Sequence, residues 1–148
     1  MAALAADIKA EFDPRWEIGL IQQEASAADI YYRGGLTHLL NDGTGLTLTP
    51  ADADFYAGVV MEHKVVIAAD ELVWTGTAGR WLFSCAALVI TELNKPFAMA
   101  QADLFDNPAS LNICAAGDPG CVGSLWSVQV TAVNGWVNTD HRSAIQNI

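Results

Sequence analysis

Hydrophobic and polar positions alternate with a period of two along much of this chain, most clearly from Phe55 to Ser84. There Phe55, Ala57, Val59 and Met61 alternate with Tyr56, Gly58, Val60 and Glu62. Leu72 and Trp74 follow the turn signal Ala69-Asp70, and Gly76-Thr77-Ala78-Gly79 leads into Arg80-Trp81-Leu82-Phe83-Ser84. Alternation rich in aromatic and β-branched residues marks half-buried strands, so this stretch predicts three or four strands in succession. Upstream, Ile30–Arg33 and Leu36–Leu40 read as strands separated by a bend at Gly34-Gly35. Asn41-Asp42-Gly43 is a turn signal, and Leu46–Thr49 alternates after it.

Downstream, Phe97–Ala100 predicts a short strand, between a loop or single helical turn at Thr91–Pro96 and Pro/Gly-bearing loops at Asp103–Ser110 and Gly117–Gly120. In Leu125–Val133 one face carries Trp126, Val128, Val130 and Ala132, the other Ser127, Gln129 and Thr131. Asn134-Gly135 is a favoured type I′ pair, which predicts a hairpin returning through Trp136-Val137. Many short strands joined by turn signals predict an all-β fold, a single antiparallel β-barrel or sandwich.

The leading residues carry a different pattern. Leu4, Ile8 and Phe12 recur at i, i+4 and i+8, which predicts a short helix over Ala2–Phe12, stopped by Asp13-Pro14. Arg15–Gln23 is apolar but poorly patterned. It fits either a first strand at the sheet edge or an extended arm lying on a neighbouring subunit. Glu24–Asp29 is small and polar, like a hinge. The expected division is an N-terminal arm over residues 1–26, a β-body over 27–138 and a polar tail over 139–148.

Composition sharpens the picture. The chain has 148 residues, enough for one domain with its own core. It is 52% hydrophobic and only 16% charged, against about 25% charged in soluble domains. Charged material to cover its surface is therefore scarce. No run of about 18 apolar residues occurs, so no membrane-spanning helix is expected. Coverage of part of the surface by other protein chains is the reading that remains. The net charge is −10 and the seven Lys and Arg are scattered singly, which argues against nucleic-acid binding. The first ten residues lack the cationic and apolar regions of a secretory signal.

Candidate chemistry is sparse. His38, His63 and His141 have no metal-ligand spacing, and no cofactor or metal site is expected. His63 reads as a solvated turn residue. Asp52, Asp54, Asp103 and Asp106 read as solvated loop carboxylates, without the glycine and distal Glu of a calcium loop. The glycine pairs lack the Lys-Ser/Thr of a phosphate loop. Cys85 lies in an apolar run, as a small buried hydrophobe would. Cys114 and Cys121 flank a loop that a disulfide can close, while an intracellular product keeps such thiols reduced. Trp74, Trp81, Trp126 and Trp136 fall on strand patterns and are expected to pack on the sheet. One or two of them can instead form a sugar-binding platform. Trp16 lies in the poorly patterned arm, where an indole not tucked into its own domain makes an interface anchor.

The order of several short stretches resembles the small head decoration (cement) proteins of tailed bacteriophages. Arg15-Trp16-Glu17-Ile18-Gly19 is similar to the aromatic-Glu-aliphatic-Gly start of that family's arm. Asp29–Leu39 (DIYYRGGLTHL) is similar to the strand that follows. Phe55–Glu62 resembles its F-x-G-V-A-x-E strand, and Ala78–Phe83 its x-G-x-aromatic-x-aromatic strand. Leu93–Ala98 is similar to the G-K-P-V-Y segment, with Leu-Asn in place of Val-Gly, and Val128–Val137 to the closing hairpin. Ala2–Phe12 and the Cys114–Cys121 loop have no counterpart in the family pattern.

The resemblance implies a non-enzymatic structural protein of the virion. It implies a β-barrel-like body made in the host cytoplasm and seated on the capsid exterior, often as a trimer or other small cluster. Its partner would be the major capsid protein, clamped across capsomer junctions. Phe12, Trp16, Ile18, Leu20 and Ile21 are the expected contacts to capsid or sister subunit. Removal of residues 1–23 is then expected to leave a folded body that no longer binds shells. The alternative from another class is a carbohydrate-binding β-module, or a capsid protein that exposes such a module. A third is an enzyme on a small β-barrel, with Cys85 or His63 in a pocket.

Overall fold

Turn chemistry sets the strand boundaries. In the computed structural model, Asp70 (φ 73°) and Asn94 (φ 66°) take left-handed conformations at chain reversals, a region that Asn and Asp tolerate better than most residues. The structure describes residues 3–15, 18–51, 53–84, 93–99, 106–115, 118, 120–128 and 134–138. Those residues form strands in three sheets and no α-helix. Trp16, Asp52, Cys85, Asp103, His141 and the tail over 139–148 lie outside the described residues.

The first sheet is assembled from β1 (Glu11–Phe12), β9 (Arg80–Ser84), β13 (Asn134–Asn138), β12 (Gly123–Val128), β10 (Pro96–Met99) and β11 (Leu111–Ile113), in that spatial order. The second runs β2 (Leu20–Glu24), β8 (Leu72–Gly76), β6 (Phe55–Val60), β4 (Leu36–Leu39) and β5 (Leu46–Thr47). A two-stranded ribbon pairs β3 (Asp29–Tyr31) with β7 (Lys64–Val66). Every strand pairing is antiparallel. The sheets are not closed on themselves, so the fold is a layered sandwich and not the barrel that the sequence equally allowed.

The second sheet is the middle layer. Successive side chains on a strand point to opposite faces, yet Val59 and Val60 are both fully buried. On one side Val59 and Leu36 pack with Trp81, Phe83, Leu111, Val122 and Leu125 of the first sheet and its connections. On the other side Val60 and Val73 pack with Tyr31 and Val66 of the ribbon, and with Ala25, Leu46 and Leu48. Phe55–Ser84 therefore holds the four strands β6 to β9, and its alternation understates burial because the Gly58–Val60 half of β6 is covered on both faces. The two larger sheets touch closely at Gly76, where a Cβ would lie 2.6 Å from Trp81 Cζ2.

Three sequence expectations are corrected. The leading segment is not helical where it is described. The Ile8 amide donates to Arg33 O (2.9 Å), the Leu4 amide to Asp106 Oδ1 (2.9 Å), and Glu11–Phe12 pairs with Leu82 and Trp81. A helix this short is marginal by itself, and the body offers its backbone better partners. The reversal expected at Asn134-Gly135 is not there: both residues already lie in β13, opposite Ser84 and Phe83 of β9. A central strand paired on both sides keeps them extended. Finally, Asp54 and Asp106 are buried rather than solvated, each 3% exposed. Asp54 accepts from the amides of Asn41 (3.0 Å) and Ala51 (2.8 Å), which pins a loop from inside. β11, by contrast, had no counterpart in the sequence reading.

Of the two readings of Arg15–Gln23, the described part has the edge strand. Leu20–Glu24 pairs along its length with Leu72–Gly76 of the chain's own second sheet.

Candidate functional site

The residues expected as contacts do not form one surface. Phe12 lies at the edge of the first sheet, 36% exposed, with its ring edge-on to Trp81 at 5.5 Å. Ile18 is half-buried and packs against the Trp81-containing core. Leu20 (51%) and Ile21 (40%) are exposed on the edge strand of the second sheet. Trp16 lies outside the described residues.

What the structure does collect is two exposed apolar groups. One continues the β2 edge. Leu20, Leu72 and Trp74 share the face that carries Gly76, since Leu20 is opposite Gly76 and the even-numbered residues of β8 point one way. Trp81 covers Gly76, but Leu72 (44%) and Trp74 (41%) remain open. Trp74 is held in place through its backbone: its amide donates to Glu62 Oε1 (3.2 Å) and its carbonyl accepts from the Met61 amide (3.0 Å).

The second group is the outer face of the β3–β7 ribbon. Tyr31 and Val66 point inward to the core, so their neighbours point away. Ile30 (39%) and Val65 (53%) are directly opposite each other, and Ile67 follows at 79% exposed. Glu71 Oε2 accepts from the amides of Ile67 (2.6 Å) and Ala68 (3.0 Å), fixing the turn that presents Ile67. The amides of Ala68 and Ile67 also hold the Glu71 carboxyl below the usual carboxylate range. The sequence signal for this face was Val65-Val66-Ile67: a two-stranded ribbon with one core-facing side cannot bury three consecutive apolar residues.

The alternation places the two groups on opposite sides of the molecule. Val73 and Val66 meet in the core between the second sheet and the ribbon. Trp74 and Leu72 point away from that core across the second sheet, and Val65 and Ile67 point away from it across the ribbon.

The polar groups offer less. His38, on β4, is 2% exposed and sits edge-on to Tyr56 at 5.8 Å. Burial pushes its imidazole down to about 4, against an upward pull from Asp54. It is therefore neutral near pH 7 and closed to substrates of any size. Burial also pushes the Tyr56 phenol up. His63 lies at the surface, its Nδ1 2.9 Å from Asp7 Oδ1, and its ring stands edge-on to Tyr32 at 5.3 Å. That hydrogen bond, and then the Arg33 amide, hold the Asp7 carboxyl below its ordinary value. Among the described residues no group of three or more His, Cys, Asp or Glu is placed to hold a metal ion. A cleft of about 440 Å³ runs between Ile8–Glu11 and Leu82, Phe83 and Asn107–Ala109. Among the described residues its charged lining is Lys9 and Glu11, which are ion-paired to each other.

No family model, curated protein or solved structure matches this chain.

Proposed function

We propose that this protein is a structural subunit that binds the outside of a larger protein shell and bridges neighbouring shell proteins, in the manner of phage head decoration proteins. The observation that carries this reading is the pair of apolar faces on opposite sides of one rigid sandwich. A bridging subunit needs two contact faces, and a layered body with a doubly covered middle sheet keeps them at a fixed separation. Low charge content and the resemblance of Asp29–Leu39, Phe55–Glu62 and Ala78–Phe83 to that family's strands support the same reading. The contact residues shift with it. Leu20 and Ile21 stay, and Leu72, Trp74, Ile30, Val65 and Ile67 join them.

The energetics favour many weak junctions. Removing each 1,000 Å² of apolar surface from water is worth roughly 25 kcal/mol before association costs, which consume most of it. Copies repeated over a shell act together, so a modest net gain per junction is enough. The acidic net charge of −10 keeps the unattached subunit soluble.

The test is cosedimentation of the purified chain with empty phage heads from the same source, prepared without it. Saturable binding is expected. Trp74→Ser and Val65→Ser should each lower occupancy at least tenfold; Val65 is about half exposed, so its variant should leave the unfolding midpoint nearly unchanged, while Trp74→Ser, at a residue 41% exposed, should lower it modestly. A chain that stays in the supernatant at all concentrations, or surface variants that bind as well as the parent, would overturn the proposal. The carbohydrate-binding alternative requires a row of exposed rings. Among the described residues Trp74 is an exposed indole, while Trp81 is fully buried.

A further inference from the structure

We infer that two copies of this chain pair edge to edge through β2, about a two-fold axis at Ile21, joining their second sheets into one. Among the described strands β2, with 5 residues, is the longest that ends a sheet. The other end of its sheet is already in use. There the Leu46 carbonyl of β5 accepts from the Ser26 amide (3.0 Å), the Ser26 hydroxyl (2.6 Å) and the Tyr31 hydroxyl (3.2 Å). β1 ends the first sheet with only 2 residues, beside the Lys9–Glu11 ion pair. β2 has neither cover nor guard. Leu20, Ile21 and Gln22 are exposed, and Leu20–Glu24 contains no Lys and no Pro. An exposed, apolar edge of this kind is a template for another strand.

The ladder fixes which backbone groups that edge offers. The Gly19 carbonyl accepts from the Thr77 amide (2.7 Å), and the Ala25 amide donates to Glu71 O (2.8 Å). Both pairs continue the register that sets Leu20 opposite Gly76. Hydrogen-bonded and non-bonded pairs alternate along an antiparallel ladder. The odd-numbered residues of β2 therefore turn their amides and carbonyls to β8, and Leu20 and Gln22 turn theirs outward. The outer side closes again at Glu24. A Cβ built on Gly45 would lie 2.7 Å from Glu24 O, and Ala25 bridges Leu46. The open window is Leu20–Gln22.

That window is complementary to itself. In an antiparallel pair centred on Ile21, Leu20 of each copy lies opposite Gln22 of the other, and each such pair exchanges both its N–H···O bonds. Ile21 meets its own counterpart at the non-bonded position between them, where opposed side chains come closest. β2 begins at Leu20, so the second copy's chain leaves the ladder before it reaches Gly45. Charge favours a second copy as the occupant. The chain carries a net −10, yet residues 18–23 hold no charged side chain, so two copies meet here without like charges opposed. The axis stands across the sheet, and both copies turn Trp74 to the same side. The contact is small, so pairing depends on concentration. It uses the backbone edge of β2 and stands whether or not the chain binds a shell.

The experiment is sedimentation equilibrium of the full chain alone, without shells, over a range of concentrations. A reversible monomer–dimer equilibrium is expected. Gln22→Pro removes an outward amide and spares the ladder to β8, a position where an edge strand tolerates proline. It should be monomeric at concentrations where the parent is dimeric. Cross-linking reads the register and keeps the test open even if Gln22→Pro does not fold. Opposed Cα atoms at a non-bonded position lie about 4.5 Å apart, inside the roughly 4.4–6.8 Å that a disulfide spans. Mild oxidation of Ile21→Cys should therefore give a covalent dimer in which peptide mapping joins position 21 to itself. Gln23→Cys, set opposite Gly19 of the second copy, should not link to itself. A parent that stays monomeric wherever it is soluble, a dimer that Gln22→Pro leaves intact, or Gln23→Cys linking as readily as Ile21→Cys would overturn the inference.

Discussion

Replacing Gly76 by Ala inserts a methyl group where the first and second sheets touch. The new Cβ would lie 2.6 Å from Trp81 Cζ2, 2.8 Å from Cη2 and 3.3 Å from Met61 Sδ. Carbon atoms in contact settle at about 3.5–4.0 Å, so β8 and the Trp81 indole must separate by roughly 1 Å. The indole cannot swing aside easily. It is fully buried, its Nε1 donates to Ala78 O at 3.1 Å, and the Phe12 ring stands against it. Overpacking of this kind costs about 1–3 kcal/mol. Loss of glycine's freedom in the unfolded chain returns about 0.4–1 kcal/mol where the backbone suits alanine. The net expectation is a destabilisation of about 1–2 kcal/mol, a sizeable share of a total of about 5–15 kcal/mol. Urea unfolding followed by tryptophan fluorescence reads it as a lower midpoint at unchanged slope. Trp81→Phe removes the ring edge that the methyl strikes, at its own cost in lost packing and a lost hydrogen bond. Gly76→Ala should then do less harm in that background, with a coupling of at least about 0.5 kcal/mol. A Gly76→Ala protein within about 0.5 kcal/mol of the parent, or strictly additive effects in the double variant, would refute the account of how these sheets meet.

Other outcomes follow from particular groups. His38 takes up a proton near 6.5 when unfolded but only near 4 when buried, so its contribution is intact above pH 6.5 and is lost as pH falls from there towards 4. The loss is bounded by on the order of 3 kcal/mol. His38→Gln should flatten the stability–pH curve in that window, and an unchanged slope would rule His38 out as its source. Burial pushes the Asp106 carboxyl up, so its own linkage runs the opposite way and stabilises the fold as pH falls. Asp106→Ala strands the Leu4 amide and should cost about 1–3 kcal/mol in chemical denaturation, whereas Asp106→Asn keeps an acceptor and should cost less. Deletion of residues 1–23 removes β1 and most of β2. It should abolish cooperative unfolding rather than leave the intact body that the sequence alone suggested. A truncated chain that melts at the parent's temperature would show those strands to be dispensable.

The strand architecture was legible because its signals are local. Asp70, Gly79 and the Asn41-Asp42-Gly43 turn mark reversals in the sequence itself, and the structure reverses at each of them. What escaped reading depended on distant partners. Leu4, Ile8 and Phe12 carry helical spacing, yet their segment is extended because Arg33, Asp106 and Trp81 supply its partners from far along the chain. Asn134-Gly135 is favourable turn chemistry overruled by two flanking strands. Asp54 and Asp106 looked like solvated loop residues because nothing local reveals that their carboxylates take up loop amides from within. The candidate contact surface was legible only in part. Leu20 and Ile21 stood out as unpatterned apolar residues, but Trp74 and Val65 sit in well-formed strands, and only the third dimension shows which of their faces lacks a cover.

The leading strap has a consequence for how the molecule is made. Leu4, Glu11 and Phe12 leave the ribosome well before their partners at Asp106, Leu82 and Trp81 exist, although Ile8 between them meets Arg33 much sooner. They must wait, unpaired and partly greasy, while some seventy to a hundred residues of chain are synthesised behind them, on the order of several seconds at ordinary elongation rates. Born ahead of those partners, they belong with the last to be seated, and a nascent chain stalled before Trp81 would display them to every passing chaperone.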